Sequence, residues 1–330
     1  MNRLIKSIFT LRLVSAGCLL LAGGMFLSGC NNMGDEPEEY DEFPAGFLMY
    51  DVNNQWNKDA YQYSFDRAKS VGLIGAWAGS HDMVKANQDQ SGRDLVNNGA
   101  KVLAVCPENI SLEFLRSLEI PVVMFDSRVE GFQEDCFVGY DYTEAAGKAA
   151  EFIAARIPSA PCKVLAFTIK SDRRTAERAE MFRKKMAQSA PEAEVVVKEF
   201  DMYSDDDRNN EVKMSILQQL VDSEDIVAIY ANDDDMAYFV YRAIDGSVDR
   251  DKISGRVKAV FGCGGSNRMH DVIKNSSLTG VEFATIECNP NIAETLTDVM
   301  VDALRFGKFS QSTVMFYPGK VIDKSNASPQ

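Results

Sequence analysis

The stretch "DIVAIYANDDDMAYFVYRAI", residues 225–244, decides the fold. Within its first eight residues, Ile226 to Ala231 form a continuous apolar run between Asp225 and Asn232. A strand buried on both faces of a parallel sheet reads this way. Three carboxylates follow, Asp233, Asp234 and Asp235, and then a second apolar run. Strand followed by helix places the acids at the strand's carboxyl end. Asp234 and Asp235 fall in the first turn of the helix, where exposed N–H groups and the helix dipole favour negative charge. Asp233 precedes that turn and faces a ligand in this reading.

The same unit repeats in both directions. Short apolar runs occur at 46–52, 73–79, 101–107, 120–126, 136–141, 163–169, 193–200, 257–265 and 281–288. Amphipathic stretches at 57–70, 143–156, 174–188, 209–222 and 291–306 lie between or after them. In the last, Ile292, Leu296, Val299, Met300, Ala303 and Leu304 share one face, with Asn291 placed to cap the helix. Regular alternation of strand and helix predicts an α/β fold with parallel sheets. Ten strands in this length suit two doubly wound lobes better than one large sheet.

Residues 1–29 carry only positive charges (Arg3, Lys6, Arg12), then the apolar run "LVSAGCLLLAGGMFL" and "LSGC", which ends at Cys30. This is the pattern of an export signal, and its ending resembles the lipobox of bacterial lipoproteins, with Cys30 as the lipidated first residue. An uncleaved membrane anchor is the competing reading, because the apolar run approaches the ~18 residues that span a bilayer. Residues 30–45 are acidic and poor in aliphatic side chains, and read as a lipid-anchored tether. Without the three leader cations the formal charge of −14 becomes −17. So acidic a chain excludes nucleic acid as a partner and leaves the lipid as the only tie to a membrane. Five later cysteines, 106, 136, 162, 263 and 288, show no CxxC spacing, and His81 and His270 are the only histidines. Neither a zinc site nor a dense disulfide framework is indicated. Cys263 and Cys288 end strands expected to be neighbours, and in an oxidising envelope they could pair.

Ligands of open parallel sheets bind at the carboxyl ends of strands. The candidates there are Tyr50, Asn54 and Trp56, then Asp126 and Arg128, then Asp172, Arg174 and Arg178, then Asp233 and Glu287. Carboxylates, guanidinium groups and amides in this mixture suit vicinal hydroxyls, with the Trp face for a sugar ring. No nucleophile–base pair is evident and no cofactor motif is present. Each candidate has a plainer reading: a turn cap for Asp126, core for Trp56, a solvated patch paired with Glu177 and Glu180 for the two arginines. The "GCGG" of 262–265 lacks a GK[ST] ending and reads as a tight turn into a helix capped by Ser266 or Asn267.

Six stretches in order, "VNNQW", "NNGAKVLAVCPEN", "IPVVMFDSR", "FVGYDYTEAAGKAAEFI", "YANDDDMAYFVYRAI" and "ATIECNPNIAE", resemble the type I periplasmic sugar-binding proteins and the ligand domains of LacI-type repressors. The resemblance covers about residues 46–322. It implies two Rossmann-like lobes joined by three hinge crossings, 46–140 plus 289–316 and 141–288 plus 317–330, closing on one solute. Asp126 falls on the family's sugar-binding Asp, Asn54 and Trp56 on its Asn and stacking aromatic, and Tyr140 on the first crossing. Arg174 or Arg178 lies near its sugar-binding Arg. The chain departs where Asp233 replaces an Asn, Gly264 an Asp and Cys288 a Gln, so a solute other than ribose or galactose is expected. The implied role is a monomeric, extracytoplasmic solute-binding protein serving an ABC permease, or a sensory module for a chemoreceptor or sensor kinase. A glycoside-acting enzyme using Asp126 with one of the three aspartates is a remote alternative.

Overall fold

The computed structural model describes residues 43–49, 55–78, 87–170, 173–200 and 206–328. The leader, Cys30, most of the tether, and the candidates Tyr50, Asn54 and Asp172 lie outside the described residues.

The first half of the chain forms β1 (Phe43–Leu48), α1 (Gln55–Ser70), β2 (Leu73–Ala78), α2 (Gln88–Asn97), β3 (Leu103–Val105), α3 (Leu112–Arg116), β4 (Val122–Phe125) and β5 (Cys136–Tyr140). There follow α4 (Tyr142–Ala154), β6 (Cys162–Ile169), α5 (Arg173–Ser189), β7 (Ala193–Phe200), α6 (Asp206–Asp222), β8 (Ile226–Tyr230) and α7 (Asp234–Asp245). The remainder is α8 (Arg250–Arg256), β9 (Ala259–Phe261), α9 (Asn267–Asn275), β10 (Glu282–Ile286), α10 (Ile292–Phe306), β11 (Thr313–Phe316) and β12 (Val321–Ile322). Among these described helices none is long and apolar enough to cross a membrane.

The strands assemble into two six-stranded sheets, ordered β11-β5-β4-β3-β1-β2 and β12-β10-β9-β8-β6-β7. Every pairing is parallel except that of β12 with β10. Central strands are short and fully buried, as their unbroken apolar runs require. Helix α7 buries Met236, Val240 and Ile244 along one face, each worth about 1.5–3 kcal/mol against exposure. Against the second sheet, Phe182 of α5 stacks on Tyr230 of β8 with ring centroids 4.3 Å apart.

The chain passes between the sheets three times: from β5 into α4, from β10 into α10, and from β11 into β12. This is the bilobal α/β arrangement expected from the strand–helix alternation. Three local expectations are corrected. The strand β1 begins at Phe43, inside the segment 30–45 that was expected to be a tether. Asn291 makes no side-chain cap on α10; Asn289 instead accepts from the Asn291 amide at 3.0 Å. Two strands, β11 and β12, were not foreseen.

Candidate functional site

The carboxyl ends of both sheets face a cleft of about 940 Å³. Its deepest carboxylate is Asp126, one residue past β4, with φ 66°. Asp is among the few residues other than Gly that accept this left-handed conformation. The Asp126 amide donates to Val138 O at 2.9 Å, which keeps the kinked residue tied to β5. Its side chain is almost fully buried and accepts from two residues on the helices of the second sheet. Arg174 Nη1 donates to Oδ2 at 2.5 Å, and the Tyr142 hydroxyl donates to Oδ1.

Arg174 and Arg178 lie one turn apart on α5 and are only 5 % and 6 % exposed. Arg178 packs over the Tyr142 ring at 4.7 Å and reaches Cys263 Sγ at 3.8 Å. The start of α5 is held by Asn232, another non-glycine residue in the left-handed region, at φ 74°. Asn232 Nδ2 donates to Phe167 O at 2.9 Å and to Thr175 O at 2.5 Å. The Thr175 hydroxyl in turn accepts from the Ile169 amide at 2.8 Å. Sequence reasoning passed over Asn232 and Tyr142, although the first sits inside the opening motif.

The three aspartates have three different places. Asp233 caps α7, its Oδ1 accepting from the Met236 amide at 2.6 Å, and it also lines the cleft. Burial and the neighbouring Arg178 press the Arg174 pKa downward, while Asp233 works the other way. A guanidinium starts so high that it stays charged. The base of the cleft thus holds two buried carboxylates, Asp126 and Asp233, beside two buried guanidinium groups. Asp234 accepts from Thr285 Oγ1 at 2.5 Å and the Ser266 amide at 2.6 Å. Burial nevertheless raises its pKa to about 6. Asp235 accepts from the Gln55 amide at 3.2 Å and from Arg268 Nη1 at 3.1 Å, so it joins the first residue of α1 to α9. The expectation that Asp234 and Asp235 serve only the helix dipole is therefore corrected: both have specific partners and both line the cleft.

The "GCGG" stretch is a turn, as its missing GK[ST] ending predicted. Gly264 and Gly265 have φ 145° and 76°, and Ser266 caps α9 by accepting from Met269 N at 3.3 Å. A Cβ on Gly264 would stand 3.1 Å from Asp234 Oδ2, a tight contact at a backbone angle that side chains already disfavour.

Among the other candidates, Trp56 donates from Nε1 to Cys288 O at 2.6 Å and lies 5.9 Å from the Phe125 ring, part core and part cleft wall. Tyr140 donates to Asn289 O at 3.0 Å, linking the first crossing to the second; burial pushes its phenol pKa upward. Glu287 lines the cleft, but its carboxylate accepts from the Lys320 amide at 3.3 Å on the third crossing. Arg128 is outside the cleft lining. It pairs with Glu134 at 2.6 Å and covers the Phe137 ring at 3.8 Å. The left-handed turn at Asp126 sends the following residues away from the strand axis, so position at a strand end did not make Arg128 a cleft residue. Cys263 and Cys288 are free thiols on the cleft wall. Among the described residues no cluster of His, Cys, Asp and Glu could hold a metal.

Two lobes with a charged cleft between them, reached by three crossings, define a bilobal binding protein of type I topology. Residues 45–308 match the periplasmic binding protein domain, and the chain belongs to that family. Solved structures of the same fold include an ABC transporter solute-binding protein from Mycobacterium smegmatis with bound glycerol, at 21% identity and TM-score 0.71 over 87% of this chain and 96% of that one. The Caulobacter myo-inositol binding protein bound to myo-inositol is similar at 20% identity and TM-score 0.70, over 86% and 94%. The fructose-binding periplasmic domain of a hybrid two-component system is similar at 17% identity and TM-score 0.71, over 87% and 92%. No curated protein matches the chain.

Proposed function

We propose that the chain is a lipid-anchored, extracytoplasmic solute-binding protein that closes around a neutral sugar or sugar-like polyol and delivers it to an ABC permease. Lobes of 46–140 plus 289–316 and 141–288 plus 317–330 would move about the three crossings, with Cys30 carrying the lipid. The observation that carries the reading is the buried, charge-balanced set of Asp126, Asp233, Arg174 and Arg178 at the base of the cleft. Alternating carboxylates and guanidinium groups accept from and donate to vicinal hydroxyls. Those four charges cancel among themselves, and with Asp234, Asp235 and Glu287 also in the lining an anionic solute would meet excess negative charge where water is excluded. Membership of a periplasmic binding protein family supports an extracytoplasmic place. Titration by calorimetry over neutral sugars, polyols, nucleosides and autoinducer-2, with uronic acids and amino sugars as controls, tests the reading. Heat from a neutral polyol supports it; heat from the charged solutes alone would sink the charge argument.

A sensory module is the second reading. It is favoured by the likeness to a fructose-binding domain of a two-component system. Gene neighbours separate the two: permease and ATPase genes for import, a histidine kinase for sensing.

A further inference from the structure

Two thiols stand side by side in the cleft wall. Cys263 lies just beyond β9 and Cys288 just beyond β10, on parallel neighbours whose pairing continues through Gly264 and Glu287. Their Sγ atoms stand 3.6 Å apart. Both line the cavity, whose volume of about 940 Å³ admits a small molecule. Their surroundings are unlike those of a thiol in an apolar core. The Arg178 guanidinium stands 3.8 Å from Cys263 Sγ and is held there by the Tyr142 ring. A cation beside a thiol favours the thiolate, which is the reactive form. The contact with Cys288 and the charge of Arg178 both lower the Cys263 pKa, against the effect of burial. Cys288 is raised by the same contact and by burial, so the pair has one better nucleophile and one better proton holder. Cys136, by contrast, is pushed up to about 11 by burial.

We propose that Cys263 and Cys288 form a reversible dithiol–disulfide site in the wall of the binding cleft, oxidised by a low-molecular-weight disulfide. The Cys263 thiolate attacks one sulfur of the entering disulfide. That S–S bond breaks, a mixed disulfide forms on Cys263, and one small thiolate leaves with a proton. Cys288 then loses its proton and attacks the Cys263 sulfur. The Cys263–Cys288 bond forms and the second small thiol departs with that proton. Two protein thiols are oxidised and one external disulfide is reduced to two thiols. The sulfurs draw in from 3.6 Å to a bond of about 2.05 Å. The site gains a link between the end of β9 and the second crossing, and loses two weak S–H donors. Disulfides persist outside the cytoplasm, where this family operates. The chemistry goes beyond solute binding and does not depend on which solute the cleft takes.

The test uses the folded, reduced protein, oxidised glutathione as the probe, alkylation of remaining thiols and peptide mapping by mass spectrometry. The expected product is a peptide pair joined through Cys263 and Cys288, two hydrogens lighter than the reduced pair and restored by dithiothreitol. Trp56 reports the same event, because its indole donates to Cys288 O at 2.6 Å and a neighbouring disulfide quenches its emission. In Cys288→Ser the expected product is a glutathione adduct on Cys263. Separate glutathione adducts on both residues of the wild-type protein would overturn the proposal. So would two unreacted thiols in the folded protein under conditions that oxidise them once it is unfolded in denaturant. The mapping on wild-type protein needs no variant to fold, and its failure would leave solute binding untouched.

Discussion

Asp233 and Asp234 are adjacent carboxylates with different partners, and each supports its own prediction. Asp233→Asn keeps an equally good helix cap but leaves Arg174 and Arg178 facing one carboxylate in place of two. Solute affinity is expected to change about tenfold or more, with altered preference among polyols, and calorimetry on the variant checks it. A residue that acted only as a cap would show no such change. Asp234 has a folded pKa of about 6, raised from 3.8 by burial. Between those values the folded state binds more protons than the unfolded chain. Its stabilising contribution is therefore full below 3.8 and is lost as pH rises through about 6. An amide at this position can still accept from the Ser266 amide and donate to Thr285. Asp234→Asn should thus abolish a loss of roughly 3 kcal/mol between acid and neutral pH, read from denaturant midpoints across that range. Parallel pH profiles for variant and wild type would show that Asp234 is not the source.

At the scale of elements, the positions of the site residues depend on how helices are fastened to strand ends. Asn232 ties β8 to both β6 and the first turn of α5, the helix that carries Arg174 and Arg178. Asn232→Gly tolerates the backbone conformation yet removes both donors and leaves two buried carbonyls poorly served. A loss of about 2–4 kcal/mol is expected, and thermal or denaturant unfolding measures it. A loss under half a kcal/mol would mean that α5 is held by other contacts. The sequence was most legible in these elements where burial is complete. All ten strands inferred from apolar runs are present, the central ones because a strand covered on both faces carries little else. The short strands β11 and β12 escaped notice: β11 alternates between exposed and half-buried residues and β12 has only two residues, so neither presents such a run. The strand-end rule brought Asp126, Asp233, Glu287 and both arginines to one cleft. It failed for Arg128, whose direction follows from the positive φ at Asp126, and it overlooked Tyr142, which reaches Asp126 only because α4 begins at the first crossing. Those are properties of tertiary placement, and no local pattern encodes them.

For the whole molecule, the account is one of two lobes bearing opposite halves of a polar cleft. Asp126 stands on the first sheet and meets Arg174 and Tyr142 from the second; Asp235 on the second meets Gln55 from the first. Contacts of this kind make binding sensitive to the relative position of the lobes, which is how hinge closure couples a solute to a partner. Asp235→Asn should weaken the link between α1 and α9 and lower solute affinity several-fold while leaving the fold intact, as circular dichroism and titration together would show. The central claim is that a neutral polyol binds in the cleft through Asp126. Calorimetric titration of the folded protein, beside an Asp126→Asn variant of unchanged circular dichroism, is the test. Saturable one-to-one binding of a neutral sugar or polyol by the wild type is expected. A loss of about a hundredfold or more is expected in the variant, in which one charge-assisted acceptor is gone. Equal affinity in the two proteins, or no binding of any neutral polyol by the wild type, would contradict it.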